Sequence, residues 1–121
     1  MAWKFESDIP VSKQLAQIIR VKILLGEYKK GSQFPTVRAL AQEAGVNPNT
    51  VQKAIFYLED DGILVTKRTA GRFVTDDEET LTQVLQDVQK SYVKKVMTDA
   101  KALGITKEIF LKYLSSEEEI K

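Results

Sequence analysis

The stretch Gly45-Val46-Asn47-Pro48 constrains this chain more than any other. Gly45 follows a run in which Val37, Leu40, Ala41 and Ala44 recur at helical spacing. Asn47 is a good helix N-cap, and Pro48 suits the first helical position, where its missing N–H costs nothing. The stretch therefore stops one short helix and starts another almost at once. Thr36 caps the first of these helices, expected over 37–44. The second should run to Asp60, with Val51, Ala54, Ile55 and Leu58 as its buried stripe and Gly62 as its stop. Two short helices joined by so tight a glycine-containing turn form a helix-turn-helix.

The flanks complete a small domain. Pro10 opens a helix expected over 10–25, with Val11, Leu15, Ile18, Ile19 and Ile23 on one face and Gly26 as its end. Glu27 to Pro35, with Gly31 and Pro35, reads as a loop. After Gly62, the segments Ile63–Lys67 and Arg72–Thr75 are β-branched and apolar. With Arg68-Thr69-Ala70-Gly71 between them they read as a hairpin, which makes the motif winged. Met1 to Asp8 reads as a short extended arm with Trp3 and Phe5 on one side.

Beyond Thr75 the pattern changes. The acidic run Asp76–Glu79 suits the positive end of a helix dipole. Leu81, Val84, Leu85, Val88, Tyr92, Val96, Ala100 and Leu103 then recur every three or four residues as far as Gly104. That predicts a helix roughly 35–40 Å long. Thr106 caps a last short helix bearing Ile109, Phe110, Tyr113 and Leu114, and Ser115–Lys121 reads as a polar, frayed tail. The expected fold is mainly α with a small β-hairpin. It divides into a winged helix-turn-helix over residues 1–75 and a two-helix segment over 76–121.

Composition narrows the chemistry. The chain has 121 residues, no cysteine and no histidine. Disulfides and thiolate metal sites are excluded, and the commonest metal ligand and general acid/base is missing. No metal, cofactor or catalytic residue is expected, and an enzyme is the least favoured reading. The N-terminus has no signal-peptide h-region, and no run approaches the roughly 18 apolar residues of a membrane span. A cytoplasmic protein with no membrane contact is expected. Net charge is +1, but residues 1–75 carry 11 Lys/Arg against 7 Asp/Glu, and the remainder 7 against 10. Only the front part is suited to an anionic partner.

Candidate contacts with double-stranded DNA follow from the motif. The unburied face of the third helix holds Asn49, Gln52, Lys53 and Phe56 at i, i+3, i+4 and i+7. Asn and Gln can bond two edges of adenine, and Lys can reach guanine or phosphate. Asn47 and Thr50 stand at the helix start, where free backbone N–H groups favour phosphate. Arg68, Gly71 and Arg72, beside Lys67, offer a basic wing for phosphate or minor groove. Arg38 stands early in the second helix, off its apolar face. Phe56 and Tyr57 break the polar pattern. Phe56 could touch a thymine methyl, or both rings could pack on the arm at Trp3 and Phe5 or on the C-terminal helices.

These residues resemble a known family. Pro10-Val11 through Gln14 to Ile18, Gly26-Glu27-Tyr28, Gly31, Phe34-Pro35-Thr36-Val37-Arg38-Ala39-Leu40-Ala41 and Gly45-Val46-Asn47-Pro48-Asn49-Thr50-Val51 look like the GntR family of bacterial regulators. Leu58-Glu59, Gly62 and Gly71-Arg72-Phe73-Val74 continue the match, which covers about residues 9–75. The Asn-Pro-Asn-Thr-Val-Gln-Lys-Ala run and the short tail are similar to its YtrA subfamily. The resemblance implies a dimer that binds an operator, usually as a repressor. It further implies a transporter or cell-envelope operon and DNA contacts at Arg38, Asn47, Asn49, Thr50, Gln52 and Gly71; Thr36, at the start of the second helix, is a further candidate contact. Pro48 and Gln52 stand where better-known branches carry arginines, so the operators of those branches are not carried over.

Larger members of that family carry an effector domain of well over a hundred residues, whereas two helices cannot enclose a pocket of several hundred Å3. The stripe Leu81, Val84, Leu85, Val88, Tyr92, Val96 and Leu103 would be exposed in a monomer, so a homodimer interface is expected there. Packing of the stripe against the chain's own winged domain is the competing expectation. Two other functions stay open on sequence grounds: a sensor with an unknown small-molecule effector at the dimer interface, and a winged-helix module that binds protein rather than DNA.

Overall fold

The computed structural model describes residues 3–116. Five helices and one hairpin follow the order α1 (Val11–Leu24), α2 (Val37–Ala44), α3 (Pro48–Asp60), β1 (Leu64–Lys67), β2 (Gly71–Val74), α4 (Glu78–Ala102) and α5 (Lys107–Ser115). The expected elements are all present, with ends shifted by a residue or two. The tail expected at 115–121 falls outside the described residues from position 117 onward.

The chain divides into two compact units, Met1–Val84 and Leu85–Lys121. In the first, α1 and α2 both pack on α3. Leu15 and Ile19 of α1, Leu40 and Ala44 of α2, and Val51, Ala54, Ile55 and Leu58 of α3 are almost wholly buried. Each large side chain so buried contributes about 1.5–3 kcal/mol through the hydrophobic effect. Ile18, expected on the buried face of α1, instead lines an open groove of about 550 Å3 with Ile9 and Val21.

The loop before α2 does more than connect. Gln33 bridges Phe73 in antiparallel fashion, and the Phe34 N–H donates to the Arg72 carbonyl at 2.8 Å. The Val74 N–H donates to Ser32 and the Gly31 N–H to Val74, both at 2.9 Å. The hairpin thus gains a third extended segment along β2. Within the hairpin Leu64 pairs with Val74, Val65 with Phe73, Thr66 with Arg72 and Lys67 with Gly71. The tip is a three-residue loop closed by Gly71 at φ +100°, a backbone region that favours glycine.

Tyr28 and Phe34 stack edge to face at 5.2 Å below this sheet edge. Burial pushes the Tyr28 hydroxyl pKa up, with Glu43 and Glu27 adding to the shift. Arg20 of α1 clamps Asp61 at the C-cap of α3, with Nε to Oδ2 at 2.7 Å and Nη2 to Oδ2 at 2.6 Å. Lys30 pairs with Glu78, whose hydrogen bond holds the ammonium pKa above its usual range.

The arm is tied to α1 and to the end of α2. The Trp3 N–H donates to the Ala44 carbonyl at 3.1 Å, and Lys22 Nζ lies 5.1 Å from the centre of the Trp3 ring. Gln14 fixes the arm from below through bonds with Glu6 and the Ile9 carbonyl. Phe56 therefore does not find its partner in the arm: its neighbouring ring is Tyr57, and it remains 65% exposed.

The start of α4 belongs to the first unit. The Asp77 carboxylate accepts from the Glu79 N–H and from Thr80, and Thr80 reaches within about 3.5 Å of the position a Gly62 Cβ would occupy. Val84 is only 8% exposed. Leu81 and Val84, both part of the stripe expected at a dimer interface, are half-buried and buried. The 25 residues of α4 make a helix about 37 Å long.

In the second unit Gly104 (φ +76°) ends α4, and the Ile105 N–H returns to the Ala100 carbonyl at 2.9 Å. Thr106 caps α5 through Ile109. Much of the apolar surface here is open: Tyr92 is 66% and Leu103 78% exposed, and Val93, Leu111, Tyr113 and Leu114 are also exposed.

Candidate nucleic-acid interface

The start of α3 is fixed by its cap. The Asn47 Oδ1 accepts the Asn49 N–H at 2.7 Å, and the Asn47 carbonyl accepts from Thr50 and Val51. Pro48 follows at the first helical position. With four apolar residues of α3 turned inward, its other face is left to solvent, and Asn49, Gln52, Lys53 and Phe56 are all exposed on it. Thr50 is half-buried at the edge of this face. The four expected side chains therefore share one open surface.

Two expected contact residues are occupied locally. The Thr36 hydroxyl oxygen accepts the Ala39 N–H at 3.1 Å, and the Asn47 oxygen is used in its own cap. Their first task is to end the backbone's unpaired N–H groups. The Asn47 amide nitrogen is not part of that cap and keeps its donors. Arg38, the second residue of α2, is exposed.

The wing divides its basic residues. Arg68 stands exposed in the tip loop beside Gly71. Lys67 folds over Phe73, with Nζ 4.7 Å from the ring centre. Arg72, expected at the basic wing, is turned toward α3, where its Nε lies 3.6 Å from Glu59 Oε2. The cause is the register: Arg72 pairs with Thr66, and the Thr66 hydroxyl donates to the same Glu59 carboxylate. Gln33 supports the tip by donating to the Ala70 carbonyl at 3.1 Å, a contact that sequence periodicity does not signal.

An exposed polar helix face, a basic loop beside it and an arginine on the preceding helix form one donor-rich surface suited to bases and phosphates. Among the described residues no group of carboxylates could hold a metal, and no helix is long and apolar enough to cross a membrane.

Comparison with known proteins identifies the family. The profile of the bacterial regulatory proteins, gntR family, matches residues 11–74. The chain belongs to the GntR family. The HTH-type transcriptional repressor YtrA of Bacillus subtilis is 34% identical over 103 residues, which cover 84% of this chain and 79% of YtrA. A GntR family regulator from Listeria monocytogenes superposes with a TM-score of 0.84 at 31% identity, covering 93% of this chain and 98% of that one. The DNA-binding domain of AraR, solved in complex with operator ORX1, aligns at 28% identity and a TM-score of 0.55, covering 60% of this chain and 93% of that domain. This GntR-family protein is a DNA-binding transcriptional regulator and not an enzyme.

Proposed function

We propose that this GntR regulator acts in the cytoplasm as a homodimeric repressor of a transporter or cell-envelope operon, bound to a pseudo-palindromic operator. In this reading residues 1–75 bind DNA and residues 76–121 dimerise. The observation that carries the DNA half is the open face of α3, where Asn49, Gln52 and Lys53 stand together, with Arg38 and Arg68 on the neighbouring elements. Asn49 and Gln52 read base edges, while Lys53, Arg38 and Arg68 neutralise phosphates. The AraR domain, seen on its operator, supports such a use of the shared fold, and the repressor YtrA supports the sign of regulation.

Support for the dimer comes from the second unit. Leu85, Tyr92 and Leu103 of the expected stripe are exposed, and α5 has no buried residue. Two helices that expose this much apolar surface gain by covering it with a second copy. Leu85, Val88, Tyr92, Val96 and Leu103 then form the interface, without Leu81 and Val84. A two-fold dimer would set its α3 helices about 34 Å apart, one DNA turn, or a multiple of that.

The test joins selection of bound sequences from random duplexes with sedimentation of the free protein. An imperfect palindrome and a dimer at micromolar concentration are expected. A monomer, or selected duplexes without repeated half-sites, would overturn the dimeric reading.

A further inference from the structure

Phe56 has no role in the core and none in the polar readout. It is 65% exposed although its side chain is among those that gain most from leaving water. It stands seven residues beyond Asn49, within about 20° of the same line along α3. Gln52 and Lys53 lie between the two on that face, also exposed. The Phe56 ring meets Tyr57 edge-on, with centroids 6.1 Å apart and planes at 66°. Tyr57 itself is half-buried in a cleft formed with Ala16, Arg20 and Asp61. One edge of Phe56 is therefore steadied from the protein side, and its outer face is directed with the polar readers.

The major groove offers such a ring one kind of apolar partner. Its floor is hydrogen-bond donors and acceptors except at thymine, which presents a C5-methyl. The geometry points to Phe56 as a specificity residue that packs on a thymine methyl in each half-site. This assignment rests on the reading of α3 as the groove-bound helix. Seven residues along an α-helix advance about 10.5 Å, or about three base pairs at 3.4 Å each. The thymine therefore lies within about three base pairs of the base that Asn49 bonds. Sequences with cytosine at that position lose the contact.

The experiment uses the duplex that the full chain itself selects from a random pool. Each thymine is replaced in turn by deoxyuridine, which removes the methyl and nothing else. At one position per half-site the wild-type chain should lose about fourfold in affinity, the worth of one buried methyl. Phe56→Leu should keep that loss, and Phe56→Ala should bind the thymine and deoxyuridine duplexes equally well. Thermal melts of the variants check that they fold, as expected for an exposed position. If the chain binds its selected duplex but no such position exists, or if Phe56→Ala shows the same loss as wild type, the thymine assignment is overturned and the groove-bound helix stands. If the chain selects no duplex, both fall.

Discussion

Arg72 of β2 faces Glu59 of α3, with Nε 3.6 Å from Oε2, and Thr66 of β1 donates to the same carboxylate. The base of the wing is thereby tied to the helix proposed to enter the groove. Both partners are about a third exposed, so the pair itself contributes less than about 1 kcal/mol. Its effect is on orientation: it turns Arg72 away from the tip and leaves Arg68 as the exposed cation of the loop.

This division separates two arginines in their dependence on salt. Arg68→Ala should lower the slope of log affinity against log salt by about 1 and weaken binding to all duplexes alike. Arg72→Ala should leave the slope nearly unchanged and instead lower thermal stability slightly. Gel-shift titrations across a salt series check both outcomes. Equal slopes for Arg68→Ala and wild type would remove the tip from the DNA contact.

Gln52 sits at the middle of the exposed α3 face. Gln52→Ala should cut the preference for the selected operator over random DNA by a factor set by about 1–3 kcal/mol, with nonspecific affinity little changed. Competition binding against bulk DNA measures that ratio directly.

Thr36 is expected to show a structural effect first. Its hydroxyl oxygen accepts the Ala39 N–H, so Thr36→Ala should cost about 1 kcal/mol through loss of the cap. For a domain of this size that is a Tm lower by about 4–8 °C. Thr36→Ser, which preserves the acceptor, should restore most of the loss in a thermal melt.

Tyr28 predicts behaviour at high pH. Its folded-state pKa is raised, first by burial and then by Glu43 and Glu27. A raised pKa means that the neutral form is favoured in the fold. The stabilisation is complete below the unfolded value near 10 and is lost as pH rises through the folded one. Urea midpoints of the wild type should therefore fall more steeply above about pH 10 than those of Tyr28→Phe. Lys30, whose pKa is also raised, is the same in both proteins, so the difference between them isolates the tyrosine.

The local rules read well from sequence because they act locally. Asn47 and Pro48 mark the start of α3, and Gly45 and Gly104 mark helix ends, through backbone chemistry contained within a few residues. Helical spacing likewise places Asn49, Gln52, Lys53 and Phe56 on one face. Three features were not legible there. Gln33 joins β2 forty positions further along, and a loop composition carries no mark of such a partner. Arg72 follows the register of the hairpin against Glu59, which is set by tertiary packing. The apolar stripe announces that Val84 is to be covered, and it is only 8% exposed, but periodicity does not say by what.

The backbone bonds from Ser32 and Phe34 to the wing strand, with Gln33 bracing the tip at Ala70, have a geometrical consequence. These bonds join the residues just ahead of the second helix to the hairpin, so the separation of Arg38 and Arg68 is constrained by the network between them. In the proposed complex, the span between the two phosphates assigned to them is then set by the protein. A duplex whose backbone spacing differs, through a tighter twist or a local bend, must pay the adjustment itself, and sequences that deform easily at that span gain affinity without a single base being touched.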